Sequence, residues 1–467
     1  MRNEKGPLLT SPPGEEHLSF LLFPFSFNNK NSIMRKYIIL AFSAIVLSVG
    51  LNSCGIYGKF KSKTDESVDT LKIPSYSDIF TDKYLLSLID TAMASNLDLK
   101  IAHENVEQAK AVLLGAKLAY LPSIYAAPSV TYGTSVGGMQ PSLSYGFGQA
   151  SWELDIFGRT TNKKRIANAS KKEMEDYEQA ARVELISSVA TTYYTLLMID
   201  AQIETTDEAV VNRAEAVETM KSMKIAGMTD EAAVAQFEAS YYSAVAQSKE
   251  LRLSRIKAEN AMRLLLCKEE LTIDRDGLYS SVVNGNDIDA VNLQVLRVRP
   301  DVKAVEHQLE RAFYSMNLAR ANCCPSISIS GNIGWNGGLI FSAVGSLLQP
   351  IFNSGKNIAE VRSSKHALRA AEYAYSNVLF KAGKEVNDAL AAKKSYRSQQ
   401  PDYENQVNSL ARAYDATFTK MSLGKGTYLE VLTAQKDLLV AQMSAIGNAA
   451  SILMADVDLY QALGGGK

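Results

Sequence analysis

Trp152-Glu153-Leu154-Asp155-Ile156-Phe157-Gly158-Arg159 marks the point where a period of two gives way to a very long helical period. Upstream, Leu143, Tyr145 and Phe147 alternate with Ser142, Ser144, Gly146 and Gly148, the pattern of a half-buried strand. Downstream, a charged, Ala-rich helical pattern runs without a proline to Gly227. The same junction returns as Pro350-Ile351-Phe352-Asn353-Ser354-Gly355-Lys356, again between a strand pattern and a long helix. Gly158 and Gly355 are 197 residues apart (355 − 158), and the same offset separates Arg159 from Lys356, Gly227 from Gly424 and Cys267 from Gly464. Ahead of the junctions the copies drift, since Pro122 and Pro325 are 203 apart, as differing loop lengths would produce. An offset of this size is one structural unit used twice, unlike the short period of a solenoid.

The unit combines strands with long helices. A helical pattern from Thr81-Asp82 to about Tyr120, interrupted at Asn96, precedes candidate strands at 124–135 and 142–156 around Gly137-Gly138-Met139-Gln140-Pro141. In the second copy Ile327, Ile329, Ile333 and Trp335 lie on one parity and Ser326, Ser328, Ser330 and Asn332 on the other; Asn336-Gly337-Gly338 turns into a weaker strand at 339–352. Strands alternating apolar with Ser, Gly and Asn suit a transmembrane β-barrel, and equally a soluble hairpin. Four strands do not close a barrel, for which about eight are needed, so membrane crossing requires an oligomer.

From each junction glycine to the next, Gly227 or Gly424, is 69 residues, about 100 Å of helix. Ala226-Gly227-Met228-Thr229 and Leu423-Gly424-Lys425-Gly426-Thr427 each join a helix stop to a helix start, with Gly at C′ and Thr as N-cap. Thr427-Tyr428-Leu429-Glu430 also has the form of a capping box. These sites read as the tips of long antiparallel hairpins. The return arms of about 40 residues cover about 60 Å, and the first is expected to be supplemented by 287–322, restarting as a helix at Arg299-Pro300-Asp301. Leu439, Met443, Ile446, Ala450, Leu453, Val457 and Tyr460 follow a coiled-coil 4-3 spacing, which predicts one buried side.

Composition limits the function. With 49 Lys+Arg against 50 Asp+Glu there is no basic field for nucleic acid, and 46% hydrophobic residues argue against a polytopic helical membrane protein. Met34-Arg35-Lys36 followed by the apolar run Tyr37 to Leu51 reads as a signal segment too short to span a bilayer. Leu51-Asn52-Ser53-Cys54 has the form of a lipobox, predicting a signal peptide at 34–53 and a covalent lipid on Cys54, the one prosthetic group expected. Residues 1–33 make little sense ahead of such a signal, so translation is expected to start at Met34. Residues 54–80 then form a polar tether, 81–286 a first repeat and 287–467 a second. Cys267 and Cys323-Cys324 read as helix-end and turn residues rather than redox centres. His17, His103, His307 and His366 are scattered without metal-site spacing, His103 and His307 reading as helix-surface residues, and no glycine cluster has phosphate-loop context, so an enzyme is not expected.

Ser151 to Arg159, Val298 to Ala304 with Pro325-Ser326-Ile327, Ser354-Gly355-Lys356 and Val457 to Gly466 together resemble the TolC/OprM-type outer membrane factors, most closely the lipidated multidrug-efflux branch. The resemblance covers 34–467 in the family's order. It implies a mostly α fold: helical hairpins forming a periplasmic α-barrel, with four strands per chain entering a twelve-stranded β-barrel of a homotrimer in the outer membrane. It implies a passive exit duct for small molecules, fed by a periplasmic adaptor and an inner-membrane RND-type transporter. The tips Ala226, Gly227, Met228 and Leu423, Gly424, Lys425 match the adaptor-contacting turns, and Glu430 one acid of the pore constriction. The position of the second acid is Thr433, a departure that weakens the expected ring, and Thr229-Asp230-Glu231-Ala232-Ala233-Val234 follows the family pattern only loosely. A protein-secretion duct of the same fold and a lipid-anchored coiled-coil adhesin or scaffold are the competing readings. The lipobox and the closing Val457 to Gly466 favour small-molecule efflux over the first, and the paired strands count against the second.

Overall fold

A computed structural model describes residues 58–62, 75–133, 142–270, 272–283, 293–335, 339–350 and 353–466. Cys54, the signal segment 34–53, residues 1–33, the turns 137–141 and 336–338, and Ile351-Phe352 lie outside the described residues. Four strands, β1 (Ser123–Gly133), β2 (Ser142–Leu154), β3 (Ser326–Trp335) and β4 (Leu339–Leu348), form one antiparallel sheet in the order β1-β2-β3-β4. Cross-strand partners share a face, so the register sorts the side chains. Trp152 pairs with Ile329 and Ile329 with Gly345; Leu154 pairs with Ile327 and Ile327 with Leu347; Tyr145 pairs with Trp335 and Trp335 with Leu339. The opposite face carries Ser123-Ser151-Ser330, Tyr125-Gln149-Asn332-Ser342 and the Ser328-Ser346 pair, whose hydroxyls are 2.7 Å apart. Bulges at Ala126/Ser129 and Gly146/Gly148 occur at one level of the sheet, where they increase twist without changing which face is apolar.

The helices are α1 (Tyr76–Ile79), α2 (Lys83–Ser95), α3 (Leu97–Leu118), α4 (Arg159–Ile225), α5 (Glu231–Leu266), α6 (Leu278–Val283), α7 (Pro300–Ala321), α8 (Lys356–Ser422) and α9 (Tyr428–Leu463). The two long arms, α4 and α8, are 67 residues each, about 100 Å, and the two return arms, α5 and α9, are 36 each, about 54 Å. The return arms are completed end to end, and not as the sequence led us to expect. The first return, α5, is extended by α3: Asn96 caps the N-terminus of α3 through Leu99 N and donates from Nδ2 to Leu265 O at 2.9 Å, while Ser95 Oγ donates to Leu266 O at 2.6 Å. The described part of the expected segment, 293–322, supplements the second return instead. Buried Arg299, at the N-cap of α7, donates from Nη1 to Ala462 O of α9 at 2.6 Å and also pairs with Asp301 and Glu385. In each case side chains at a helix start take up carbonyls left orphaned at another helix's end. The choice of partner is tertiary and carries no local signal.

The apolar core lies where these ends meet. Leu85, Ile89, Tyr193, Leu196, Leu197, Met262, Leu266, Leu453 and Tyr460 form one cluster joining α2, α4, α5 and α9. The predicted 4-3 stripe on α9 is too narrow a description, because Ala441, Ala445, Ala449, Ile452, Ala455 and Leu459 are buried too and Met443 only partly so. α9 packs against both α8 and α4, so apolar groups are needed on two sides. The buried ion pair Lys393–Asp456, 2.7 Å, ties α8 to α9. Pro401 sits inside α8, a feature the periodicity does not reveal. Just before it, buried Asn448 of α9 donates to Tyr396 O at 3.1 Å and to Gln400 Oε1 at 2.9 Å, holding the helix where proline removes a backbone donor.

The caps are partly as expected. Cys267 ends α5 in the left-handed conformation (φ 50°), as Gly464 ends α9 (φ 84°). The N-cap of α5 is Asp230, which accepts from Ala233 N, and not Thr229. Thr427 Oγ1 accepts from Glu430 N at 3.4 Å, but the reciprocal half of the capping box is not formed. Gly355 and Gly464 both have positive φ, yet a Cβ at Gly355 meets nothing within 4 Å, whereas at Gly464 it lies 2.8–3.0 Å from Arg299 and Pro300. Gly355→Ala should therefore cost about 1 kcal/mol of backbone strain. Gly464→Ala should cost at least twice that and loosen the α7–α9 contact, a ranking that thermal unfolding of the two variants in detergent checks.

Candidate functional site

Asp155 organises the junction between sheet and helix. Its carboxylate accepts from Thr160 N and Thr161 N, both at 2.8 Å, and from Thr161 Oγ1 at 2.6 Å, taking up the free donors of α4 and placing negative charge at its N-terminus. Gly158, at φ 70°, makes the reversal that a Cβ would resist. Arg159 reaches outward to Glu153 at 2.9 Å and to the carbonyls of Ala321 and Cys324 at the end of α7, and Trp152 Nε1 donates to Tyr120 O beyond α3. The second junction uses Ser354 (φ 47°) and Gly355 (φ 74°), with Asn357 Nδ2 donating to Asn322 O. The sheet is thus fastened to helix ends on both sides. Its apolar face stays uncovered by this chain: Ile124 is 79% exposed, Phe341 69% and Trp152 40%. A ten-residue strand is about 33 Å long, and a tilt of about 40° leaves about 25 Å, the height of an outer-membrane apolar band.

At the far end of the helices the two tips close with the same hydrogen bonds. Gly227 N donates to Lys224 O and Met228 N to Met223 O; Gly424 N donates to Met421 O and Lys425 N to Lys420 O. Both glycines are left-handed, φ 75° and 73°. The structure brings all six predicted tip residues to one place. The Met228 methyl lies 3.6 Å from where a Gly424 Cβ would stand, and Met220, Val234, Phe237, Met421 and Val431 form a shared cluster beneath. Ile225, Met228, Leu423 and Leu429 remain exposed on this end. Glu430 is exposed on the first turn of α9.

One titratable cluster escaped the sequence reading. His307, expected on an open helix surface, is wedged between α7 and α4, with Nδ1 3.0 Å from Glu310 and Nε2 3.4 Å from Asp176. Lys172 approaches Glu310 at 3.6 Å, and Arg311 pairs with buried Glu173 at 3.1 Å. Asp176 Oδ2 is buried without a hydrogen bond. Burial pushes its carboxyl up to about 6, against the opposing pull of His307 and Lys303.

A sheet with one lipid-compatible face, carried on helices of about 100 Å that end in paired apolar tips, fits an outer-membrane duct with most of its mass in the periplasm. The chain belongs to the outer membrane efflux protein family, which it matches over residues 88–268 and 293–465. It is 25% identical to the probable outer membrane lipoprotein SilC of Salmonella typhimurium, covering 87% of this chain and 91% of that one. It is 27% identical to the toluene efflux pump outer membrane protein TtgI of Pseudomonas putida, covering 84% and 88%. A crystal structure of CusC superposes with a TM-score of 0.78 at 24% identity, over 88% of this chain and 99% of that one. The open state of the Neisseria gonorrhoeae MtrE channel gives 0.74 at 25% identity, over 88% and 96%. The protein is an outer-membrane efflux channel.

The Asp176 cluster gives a pH signature. The carboxyl binds its proton more tightly folded than unfolded, so stability rises as pH falls through about 6 and levels off near the ordinary value of 3.8. Asp176→Asn should abolish that gain. The variant should exceed the wild type in Tm at pH 7.5 and lose the advantage by pH 4.5, as scanning calorimetry in detergent measures.

Proposed function

We propose that three copies of this chain close a twelve-stranded barrel in the outer membrane and a helical tunnel below it. Small molecules would pass through it after delivery by an RND-type inner-membrane pump and its periplasmic adaptor. The observation that carries the reading is the sheet: four strands, edges at β1 and β4 that pair with nothing among the described residues, and a continuous uncovered apolar face. Four strands are half of what a small closed barrel needs, and an open edge in lipid leaves backbone groups without partners. Exposed Ile358, Tyr373 and Phe380 on α8 and Tyr242, Leu253 and Ile256 on α5 suit burial against neighbouring copies. The equal lengths of α4 and α8 and of α5 and α9 support an origin by duplication. In this reading the duct performs no chemistry and the pump selects the cargo; relatives are named for different cargo, toluene efflux for TtgI and cation efflux for CusC of Escherichia coli.

In this reading Cys54 carries the lipid anchor, and the tips at Gly227 and Gly424 dock the adaptor through their exposed Met228 and Leu423. Glu430, three copies around the axis, lines the entrance with negative charge. Native mass spectrometry of the detergent-extracted protein should give a trimer, and a stable monomer would refute the assembly. Asp in place of Gly227 or Gly424 should weaken adaptor crosslinking at least severalfold while trimers persist in the membrane. Glu430→Gln should lower cation selectivity in planar bilayers, most at low salt, with unchanged unfolding temperature; unchanged selectivity leaves Glu430 with no part in the entrance.

A further inference from the structure

Arg213, on α4, is a buried cation without a counter-charge. The residue is 7% exposed, and its Nη1 donates to Ser240 O of α5 at 2.9 Å. A guanidinium carries five N–H donors, and that carbonyl is the one acceptor it reaches among the described residues. The other buried cations of the column are treated differently. Arg299 pairs with Asp301 and Glu385, and Lys393 with Asp456. Burial pulls the Arg213 guanidinium below its ordinary value, countered among its neighbours by the Tyr414 hydroxyl alone. Desolvating a charge is costly unless an opposite charge offsets it, and the protein supplies none here. The nitrogens without acceptors are not sealed in the core, so an anion can reach them.

They open on a groove of about 750 Å³ that runs over α4 between α5 and α9. Its second charge, the exposed Lys436 of α9, is also positive, and among the described residues no Asp or Glu lines it. Arg213 is 14 residues before Gly227 (227 − 213) and Lys436 is 12 after Gly424 (436 − 424), so both stand about 20 Å above the tips. Two cations on different hairpins thus face one space at one height. Beside them Leu439, Val440 and Met443 form an apolar wall, with Val440 56% exposed. We propose that this groove binds a small organic carboxylate with an apolar body. The carboxylate pairs with Arg213 and Lys436, and the body lies along the wall on α9. The positive lining repels metal cations, and an inorganic anion leaves the wall in water. A ligand in this place touches both hairpins, so its binding strengthens the contact between them.

Naphthoate is a suitable probe, titrated by calorimetry into the full protein extracted from membranes in a non-ionic detergent. It should bind saturably, about tenfold tighter than neutral naphthamide, which keeps the rings, and than acetate, which keeps the charge. Arg213→Met removes the charge at similar length and should weaken binding about tenfold; Lys436→Met, at an exposed site, should weaken it about threefold. Without ligand, Arg213→Met should unfold at the wild-type temperature or above, because an unpaired buried charge has been lost. Naphthoate should then raise the unfolding temperature of the wild type and not of the variant. Ser243→Phe fills the groove from an exposed position and leaves Arg213 in place, so it should abolish binding. That variant decides the matter if Arg213→Met does not assemble. Equal binding of naphthoate and naphthamide, or binding unchanged by Ser243→Phe, overturns the site, and acetate binding as tightly as naphthoate overturns the apolar wall. No saturable binding to the wild type, with Arg213→Met lowering the unfolding temperature, also overturns the site and assigns Arg213 to a carboxylate of a neighbouring copy.

Discussion

Everything in this protein depends on passing from strand to helix at the edge of the membrane without leaving backbone groups unpaired. In lipid the strands satisfy one another, and in the periplasm the long helices satisfy themselves; the exposed point is the first turn of each long helix. At the first junction the Asp155 carboxylate covers the free N–H groups of Thr160 and Thr161, and Gly158 supplies the left-handed residue that turns the chain. Arg159 and Trp152 then bind carbonyls at the ends of α7 and α3, so four chain segments are held by side chains of one short motif. A sheet attached this way is oriented rigidly on its helices.

The same economy governs the middle of the molecule. No single return helix is as long as α4 or α8, and the column height is reached by stacking α3 on α5 and α7 on α9. Each stack is an exchange between helix ends: Asn96 and Ser95 serve the last carbonyls of α5, and Arg299 serves Ala462 of α9. Gly464 and Gly465, both left-handed, let the chain pass where a Cβ would stand within 3.0 Å of Arg299 and Pro300, or of Val183 and Tyr460. Val298 to Ala304 and Val457 to Gly466, separate signatures in the sequence, are two halves of one contact.

Polar groups inside the column are few and mostly paired. Lys393 with Asp456 and Asn448 with Tyr396 bind α8 to α9, the second beside Pro401, where a helix of 67 residues would otherwise be weakest. Such contacts add specificity of register to helices whose apolar surface is largely alanine and would slide with little penalty. His307, Asp176 and Glu310 place a comparable charged cluster between α7 and α4, which makes that contact sensitive to pH in the range a periplasmic protein meets.

The amino-acid sequence by itself determined the elements and their lengths. Glycine at positive φ, a proline-free run, and alternation of Ile with Ser are local constraints, and each is read from neighbours in the chain. So Gly158, Gly227, Gly355 and Gly424 located the turns at the ends of the long helices. Tertiary structure alone decided which ends meet. That α3 extends α5 while α7 extends α9, that α9 is buried on two sides, and that His307 sits between carboxylates all depend on residues over a hundred positions apart, or on α7 lying against α4. The seating of Phe60 against Phe313 belongs with these. A lone phenylalanine in a polar segment has no periodicity to announce it, and its place exists only because Phe313 and Tyr314 present a surface for it. Local chemistry selects the conformation of a segment, but the partner of a helix end is chosen by where the whole column leaves an orphaned carbonyl.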